Sequence, residues 1–201
     1  MHCPRSSHLD AARQIFRYVK GSLDYGLMYK RHEKFMLDGF TNADWAGDTN
    51  DRHSISGYCF STGLTMVSWC SKKQPVVTLS STEAEYVATT MAAQECMWLK
   101  RLMGEMLCKV DYAVQIRCDN ESAIKLASNP IFHGRMKHIE VCHHYIREKV
   151  LEQEVVLKGI STNEQVADIF TKSLIKAKFE YFRATLGVVD RKHAFRGSVK
   201  N

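Results

Sequence analysis

The chain has 201 residues, of which 45% are hydrophobic and 25% charged, and this composition is typical of one globular domain with short appendages. The apolar runs are too short to span a bilayer, and the first ten residues lack the apolar core of a signal peptide. The sequence therefore predicts neither a membrane protein nor a secreted one. Seven widely spaced cysteines without a C-x-x-C pair favour reduced thiols over a disulfide framework. His138, Cys142 and His143 could form part of a zinc cluster, but no second pair of ligands is visible.

The net charge of +6 is unevenly distributed along the chain. Residues 1–34 carry a net +4 and residues 171–201 a net +6, whereas residues 35–170 carry a net −4. Basic ends around an acidic centre are typical of a protein that binds a polyanion and holds cations at its site. A basic C-terminal segment can also be only a solvated extension.

Hydrophobic periodicity predicts helices and strands that alternate along most of the chain. In chain order they are a helix at 8–19, strands at 27–29 and 35–40, a hairpin at 56–69 turning at Thr62-Gly63, a long helix at 80–107, a strand at 112–118, helices at 121–128 and 138–153, a strand at 155–160 and a helix at 163–171. Strands interleaved with helices after an antiparallel start predict an α/β fold with a mixed sheet flanked by helices.

Acidic residues stand at the ends of four predicted elements: Asp44, Glu85, Asp119 and Asp168. Functional sites of open α/β sheets gather near strand ends, where the strand order reverses. Clustered carboxylates repel one another unless cations neutralise them, and oxygen ligands suit Mg²⁺ or Mn²⁺. Two such ions can stabilise both the attacking and the leaving oxygen of a phosphodiester. The pattern therefore indicates a divalent-metal nuclease site.

Each of these acids also has a structural interpretation. Ser80 and Glu83 match a capping box at the start of the long helix, which gives Glu83 a structural role. Glu85 lies about 200° further round the helix, so it does not share that role; its charge would be favourable near the helix N-terminus. Asp119 could cap the helix that follows it, and Asp168 could be a solvated surface acid.

Short motifs occur in a dense and ordered set along residues 1–174. They include ADWAGD at 43–48, SGY at 56–58, SKKQ at 71–74, LSSTEAEY at 79–86, CDN at 118–120, KHIE at 137–140 and EQVADIFTK at 164–172. This set resembles the RNase H domain at the C-terminus of copia-type retrotransposon Pol polyproteins. Residues 8–21 resemble the end of that family's reverse transcriptase, whose own Tyr-x-Asp-Asp turn does not occur in this sequence.

The resemblance implies a five-stranded mixed sheet with helices on both faces and an Asp, Glu, Asp, Asp set that binds two Mg²⁺ ions, for which Mn²⁺ can substitute. Glu85, Asp119 and Asp168 match the second, third and fourth acids of that set. The first acid departs from the family, because its usual Asp-small-Asp-aromatic motif is replaced by Asn42-Ala43-Asp44-Trp45. Asp44 matches the second acid of the motif, so Asp44 or Asn42 would complete the metal shell.

The function implied is metal-dependent hydrolysis of the RNA strand of RNA–DNA hybrids within a Pol polyprotein. Lys72, Lys73 and the basic C-terminal segment would contact phosphates, and the reverse transcriptase portion of the polyprotein would be a partner. The alternative is a catalytically weakened or inactive nucleic-acid-binding module, which Asn42 favours. We expect a reverse transcriptase remnant at 1–34, an RNase H-like domain at 35–174 and a basic tail at 175–201, located in cytoplasmic virus-like particles or in the nucleus.

Overall fold

A computed structural model describes residues 3, 5–30, 35–106, 108–128 and 140–194, and the side chains of residues 140–143 and 193–194 are outside the description. The α-helices among these residues are α1 (Ser6–Ser22), α2 (Ser81–Glu105), α3 (Glu121–Ser128), α4 (Glu140–Leu151), α5 (Lys176–Thr185) and α6 (Arg191–Ala194). The strands among them are β1 (Tyr25–Leu27), β2 (Leu37–Asp44), β3 (Ile55–Thr62), β4 (Thr65–Lys73), β5 (Val114–Cys118), β6 (Val155–Gly159) and β7 (Val188–Asp190). The zinc interpretation of His138, Cys142 and His143 and the KHIE motif up to residue 139 lie outside the described residues.

The main sheet has five strands in the order β4-β3-β2-β5-β6. The β2–β3 and β3–β4 pairs are antiparallel, whereas β2–β5 and β5–β6 are parallel. The turn between β3 and β4 is made by Gly63, whose φ of 65° lies in the left-handed region that glycine adopts without strain. This mixed sheet with flanking helices confirms the fold class predicted from the sequence.

Helix α2 packs against one face of the sheet through a row of small side chains. Ala84, Ala88 and Ala92 recur every four residues and are completely buried, so the helix backbone approaches β2 and β3 closely. The large apolar core on this side includes Phe60 and Tyr86. Because the start of α2 lies against β2, Glu85 in its first turns is carried to the end of that strand.

A second apolar cluster covers the opposite face of the sheet and includes part of the predicted basic tail. Phe182 of α5 is completely buried, and Leu186 after it is nearly so, with Met66 and Val166 in the same cluster. Strand β7 pairs antiparallel with β1, which lies in the segment predicted as a reverse transcriptase remnant. Residues 176–190 are thus folded onto the domain, because their apolar side chains are needed to cover this face.

No helix within the described part of the chain combines the length and apolarity that a bilayer crossing requires.

Candidate active site

The candidate site lies where the strand order of the main sheet reverses. Strand β2 ends at Asp44 and its parallel neighbour β5 ends at Cys118, so their carboxyl ends meet at one edge of the sheet. Glu85 approaches this edge from α2, and Asp119 follows β5 directly. The fold therefore brings together acids that lie 34 residues apart in the sequence.

Glu85 is a buried acid with a fixed orientation. Its Oε1 accepts a hydrogen bond of 2.9 Å from the backbone N–H of Ala43, and its Oε2 lies 3.8 Å from the Cys118 thiol. The pKa of Glu85 is raised from 4.5 to about 8, chiefly by burial and also by the neighbouring charge of Asp119, although the hydrogen bond from the Ala43 N–H lowers it. A cation at this place would remove the repulsion and favour the ionised carboxylate.

Asp119 and Cys118 complete one group of potential ligands with Glu85. The ligand atoms of these three residues all lie within 4.8 Å of one another, the single such group among the described residues. Asp119 is half-buried, and the cap of α3 is supplied by its neighbour Asn120, whose Oδ1 accepts the N–H of Ala123 at 2.9 Å. The structure thus gives the capping role, considered for Asp119 from the sequence, to Asn120.

Asp168 lies in a short 3-10 helix, Val166–Phe170, which we call the Asp168 turn; the sequence predicted an α-helix there. This turn crosses β2 and β3 on the face opposite α2. Gly57 allows the close approach, because a Cβ at this position would lie 2.6 Å from Thr171 Cγ2 and 2.9 Å from Phe170 Cβ. Gln165 anchors the turn, since its buried amide donates to the carbonyl of Thr41 at 2.9 Å.

The carboxylate of Asp168 is completely buried and is held by two lysines. The Nζ of Lys172 lies 2.8 Å from Oδ1 and the Nζ of Lys178 lies 2.9 Å from Oδ2. Full burial is incompatible with the solvated surface acid considered from the sequence. Two ammonium groups offset the desolvation cost of this buried charge.

Asn42 and Asp44 occupy different environments at the end of β2. Asn42 is buried, and its Nδ2 donates a 2.6 Å hydrogen bond to the hydroxyl of Thr171, which itself donates to the backbone carbonyl of Asp168. Asp44 is half-buried, and its carboxylate lies over its own turn, because a Cβ on Gly47 would be 2.4 Å from Asp44 Oδ2. The position that the resemblance matches to the first acid is therefore occupied by a neutral amide bonded to Thr171, next to the Asp168 turn.

Glu83 and the two predicted phosphate-binding lysines lie outside this cluster. The hydroxyl of Ser80 accepts the N–H of Glu83 at 3.2 Å, and the Glu83 carboxylate accepts the N–H of Leu79 at 2.5 Å, so Glu83 caps α2. Lys72 is exposed at the end of β4, whereas Lys73 forms ion pairs of 2.6 Å with Asp48 and 2.5 Å with Asp51.

The sequence did not predict the contact of the Cys118 thiol with Glu85 or the ion pairs of Lys172 and Lys178 with Asp168. Cys118 and Lys172 both lie in the motifs quoted above. Lys172 stands four residues after Asp168, and this spacing could have indicated an ion pair. Lys178 gave no signal, because its contact with Asp168 depends on how α5 packs.

Comparison with known proteins assigns the chain to a family. It is 39% identical over 189 residues to the retrovirus-related Pol polyprotein from transposon RE2 of Arabidopsis thaliana, covering 94% of this chain and 13% of that protein. It is 41% identical over 186 residues to the corresponding polyprotein from transposon TNT 1-94 of Nicotiana tabacum, covering 92% of this chain and 14% of that protein.

The chain belongs to the Pol polyproteins of copia-type retrotransposons. The chain, which we call the copia-type segment, spans about an eighth of the length of the two polyproteins described above. No family model matches it. Among solved structures, LC11-RNase H1, determined in complex with an RNA/DNA hybrid, superposes with a TM-score of 0.50 at 15% identity and covers 67% of this chain and 93% of that one. The copia-type segment therefore has an RNase H fold.

Proposed function

We propose that this copia-type segment hydrolyses the RNA strand of RNA–DNA hybrids in a reaction that requires a divalent cation. The observation that carries the proposal is the convergence of Glu85 and Asp119 at the reversal point of the sheet, where the buried carboxyl of Glu85 faces a second acid. One solved structure with this fold is an RNase H1 in complex with an RNA/DNA hybrid, and we propose the same substrate class for this chain.

The donors around Glu85 and Asp119 fit one Mg²⁺ or Mn²⁺ ion. Both acids offer the oxygen ligands that these ions prefer, within 4.8 Å of each other. Cys118 is a hydrogen-bond donor to Glu85, since burial raises the pKa of its thiol to about 12, and sulfur is a soft ligand that does not suit Mg²⁺ or Mn²⁺. A cation held there would lower the pKa of the attacking water.

The protein itself positions these groups before substrate binds. The N–H of Ala43 fixes Glu85, and half-buried Asp119 leaves the pair accessible from the edge of the sheet. Exposed Lys72 would contact a phosphate of the bound strand, and Lys73 would do so after leaving Asp48 and Asp51. Recognition of the RNA strand would rest on its 2′-hydroxyl groups and on the shape of the hybrid.

The resemblance to the family implies a second ion between the first and fourth acids, and the residues here do not fit it. Asn42 offers no charge, and its amide nitrogen is committed to Thr171. The single negative charge of Asp168 is already paired with two positive charges, those of Lys172 and Lys178. These contacts favour a second candidate function, a weakened or inactive module that binds hybrid without cutting it.

A gel assay with labelled RNA–DNA hybrid, duplex RNA and duplex DNA tests the proposal in Mg²⁺, in Mn²⁺ and in EDTA. Cleavage of the hybrid RNA alone, lost in EDTA, is expected. Glu85→Gln and Asp119→Asn should each lower the rate at least a hundredfold, whereas Glu121→Gln, a change at an exposed acid of α3, should not. Cleavage that persists in EDTA or in Glu85→Gln contradicts the proposal. Normal hybrid binding without cleavage in any cation selects the binding module.

The setting of this reaction follows from the relatives, which are Pol polyproteins. We propose that the reverse transcriptase portion of the same polyprotein is the partner of this segment. We also propose that it acts in cytoplasmic virus-like particles or in the nucleus.

A further inference from the structure

Helix α1 has an apolar face that its own domain leaves exposed. The helix buries none of its residues. Its large apolar side chains fall within about 120° of arc on one side, because an α-helix turns by about 100° per residue. We call this set the α1 stripe, and its members are between 48% and 73% exposed: Leu9, Ile15, Phe16, Val19 and Leu23. Contiguous apolar surface of a few hundred Å² marks an interaction site on a soluble protein.

The α1 stripe points away from the body to which the helix is attached. A different side of α1 faces α5 across a cavity of about 550 Å³, which Tyr18, Gly21 and Ser22 line together with Phe179 and Arg183. The centre of the stripe lies roughly 130° around the helix from those three residues of α1. The domain therefore lies on the less apolar side of α1, the reverse of what a helix packed on its own core shows.

The C-terminal segment holds α1 in this orientation. Only Leu23 and Asp24 join α1 to β1, and β1 is paired with β7. The backbone N–H of Arg191 donates to the carbonyl of Asp24 at 2.8 Å, and the Nζ of Lys192 lies 2.5 Å from the Asp24 carboxylate. Because this connection is short and is tied to α6, the helix cannot turn its stripe onto its own domain while β1 stays paired.

The size of the α1 stripe favours a partner within the same polyprotein over a second copy of this chain. A stable complex of two separate proteins buries about 800 Å² on each side, more than five side chains of one helix supply. Each copy would also carry a net charge of +6, which opposes association. A domain joined to this chain has an effective concentration of about millimolar, so a small interface holds it. The related Pol polyproteins are long enough to contain one, since this chain spans about an eighth of their length.

We propose that the α1 stripe is the surface on which the reverse transcriptase portion of the polyprotein packs, and that the pairing of β1 with β7 sets its position relative to the candidate active site. This inference rests on the partner given under the proposed function, but it does not depend on cleavage. Arg17 and Lys20 are exposed along one flank of the stripe. The surface that covers α1 should therefore be an apolar groove with acidic residues beside it.

Hydrogen exchange tests the proposal without requiring catalysis. The full chain is compared with a fusion in which the reverse transcriptase portion of the transposon RE2 polyprotein precedes Met1. The amides of α1 should exchange at least tenfold more slowly in the fusion, because packing of the stripe suppresses local opening of the helix. Exchange as fast as in the chain alone would overturn the inference.

The variant Phe16→Ser separates a docking surface from a structural role. Phe and Ser have similar helix propensities and Phe16 is exposed, so the isolated variant should keep its melting temperature. In the fusion, the same change should return the exchange of α1 to the rate of the chain alone. Gln14→Ser, at an exposed position on the opposite side of the helix, is the matched control and should preserve the protection. A large drop in the melting temperature of the isolated Phe16→Ser chain, or unchanged protection in the fusion, overturns the inference.

Sedimentation and exchange of the isolated chain identify the other occupants. A monomer at micromolar concentration whose α1 amides exchange rapidly is expected, since a helix without tertiary packing is marginally stable. A dimer that is lost in Phe16→Ser would assign the stripe to a second copy. Slow exchange that is lost on deletion of residues 195–201 would assign it to the C-terminus of the same chain. Either result overturns the inference.

Cleavage assays on the same fusion distinguish failure of this inference from failure of the proposed function. If α1 is protected but the fusion cuts no hybrid, the proposed hydrolysis fails and the docking surface stands. If the hybrid is cut but α1 is not protected, the hydrolysis stands and the docking surface fails.

Discussion

Replacing Glu85 with Gln tests the electrostatic account of the site. The amide of Gln can still accept the N–H of Ala43 and has nearly the volume of Glu, so the local packing is retained. In the metal-free protein, burial raises the pKa of Glu85 from 4.5 to about 8. Between these two pH values the unfolded chain has released a proton that the folded chain still holds, so stability falls as pH rises through this window.

The expected magnitude follows from the same shift. A rise of the pKa from 4.5 to about 8 corresponds to on the order of 5 kcal/mol of stability lost by pH 8 and above. Glu85→Gln carries no titrating group, so it escapes this loss. The variant should be close to the natural chain at pH 5, where Glu85 is protonated in the folded state. It should be several kcal/mol more stable at pH 9 in EDTA.

The assay is urea unfolding in EDTA at pH 5, 7 and 9, with Glu121→Gln as a control at an exposed acid. Other titrating groups are common to the proteins and cancel in the difference between them. Added Mg²⁺ should then stabilise the natural chain more than Glu85→Gln, because the ion binds the folded carboxylate. A difference in stability between Glu85→Gln and the natural chain that is the same at pH 5 and pH 9 would refute this account of Glu85.

Four further substitutions test other parts of the structure. Glu83→Ala should cost about 1 kcal/mol of stability in urea unfolding and keep the cleavage rate, because Glu83 caps α2; equal losses of activity in Glu83→Ala and Glu85→Ala would show that the roles are misassigned. Asn42→Asp should raise Mg²⁺-dependent cleavage at least tenfold, which corresponds to about 1.4 kcal/mol of the activation barrier. It should also lower the melting temperature in EDTA, because a buried carboxylate replaces the amide that donates to Thr171. A variant that binds hybrid normally but cuts it no faster would contradict this prediction. Phe182→Ala should cost about 3–5 kcal/mol, which urea unfolding measures, because Phe182 is completely buried; a cost below 1 kcal/mol would mean that α5 is only an appendage. Gly57→Ala should displace the Asp168 turn and lower both the melting temperature and the cleavage rate, because its Cβ would lie 2.6 Å from Thr171 Cγ2; an unchanged melting temperature would contradict this close approach.

The periodicity of the sequence predicted the sheet and its largest helix well. The hairpin of β3 and β4, the long α2 and the strand β5 were all identified within a few residues, because apolar side chains in these elements repeat at strand or helix spacing. The predicted α-helix at 163–171 is instead made of two 3-10 turns. Contacts with the sheet hold this segment in place: Gln165 donates to the carbonyl of Thr41 in β2, and Gly57 of β3 leaves room for Phe170 and Thr171.

The C-terminal segment shows why charge is a poor guide to order. Residues 175–201 were predicted to be a basic tail because seven lysines and arginines outnumber two acids there, yet α5 buries Phe182 and β7 pairs with β1. Basic side chains tolerate this packing because their ammonium groups remain near solvent or near an acid, as Lys178 does at Asp168. The free energy gained by burying one aromatic side chain is larger than the effect of several exposed charges on whether the segment folds.

The convergence of Glu85 and Asp119 could be predicted from the sequence, but the contacts made by the lysines and by Asn42 could not. Asp119 and Glu85 stand at element ends that the sheet topology brings together, so their meeting follows from the sequence once the fold is known. The position of Lys178 depends on the packing of α5, and the orientation of Asn42 depends on the hydroxyl of Thr171. These are tertiary contacts without a local pattern.

The neutral residue at position 42 and the lysines around Asp168 are electrostatically consistent with each other. Asn42 donates to Thr171, and Thr171 donates to the carbonyl of Asp168, so the amide stabilises the turn without adding charge. A carboxylate at position 42 would require Thr171 to turn its hydroxyl away from Asp168, and it would need a counterion of its own. Lys172 and Lys178 are already paired with Asp168, so a divalent cation bound between the two acids would be the natural counterion. We therefore expect the change from amide to acid at position 42 to increase the affinity of the Asp168 side of the site for a divalent cation.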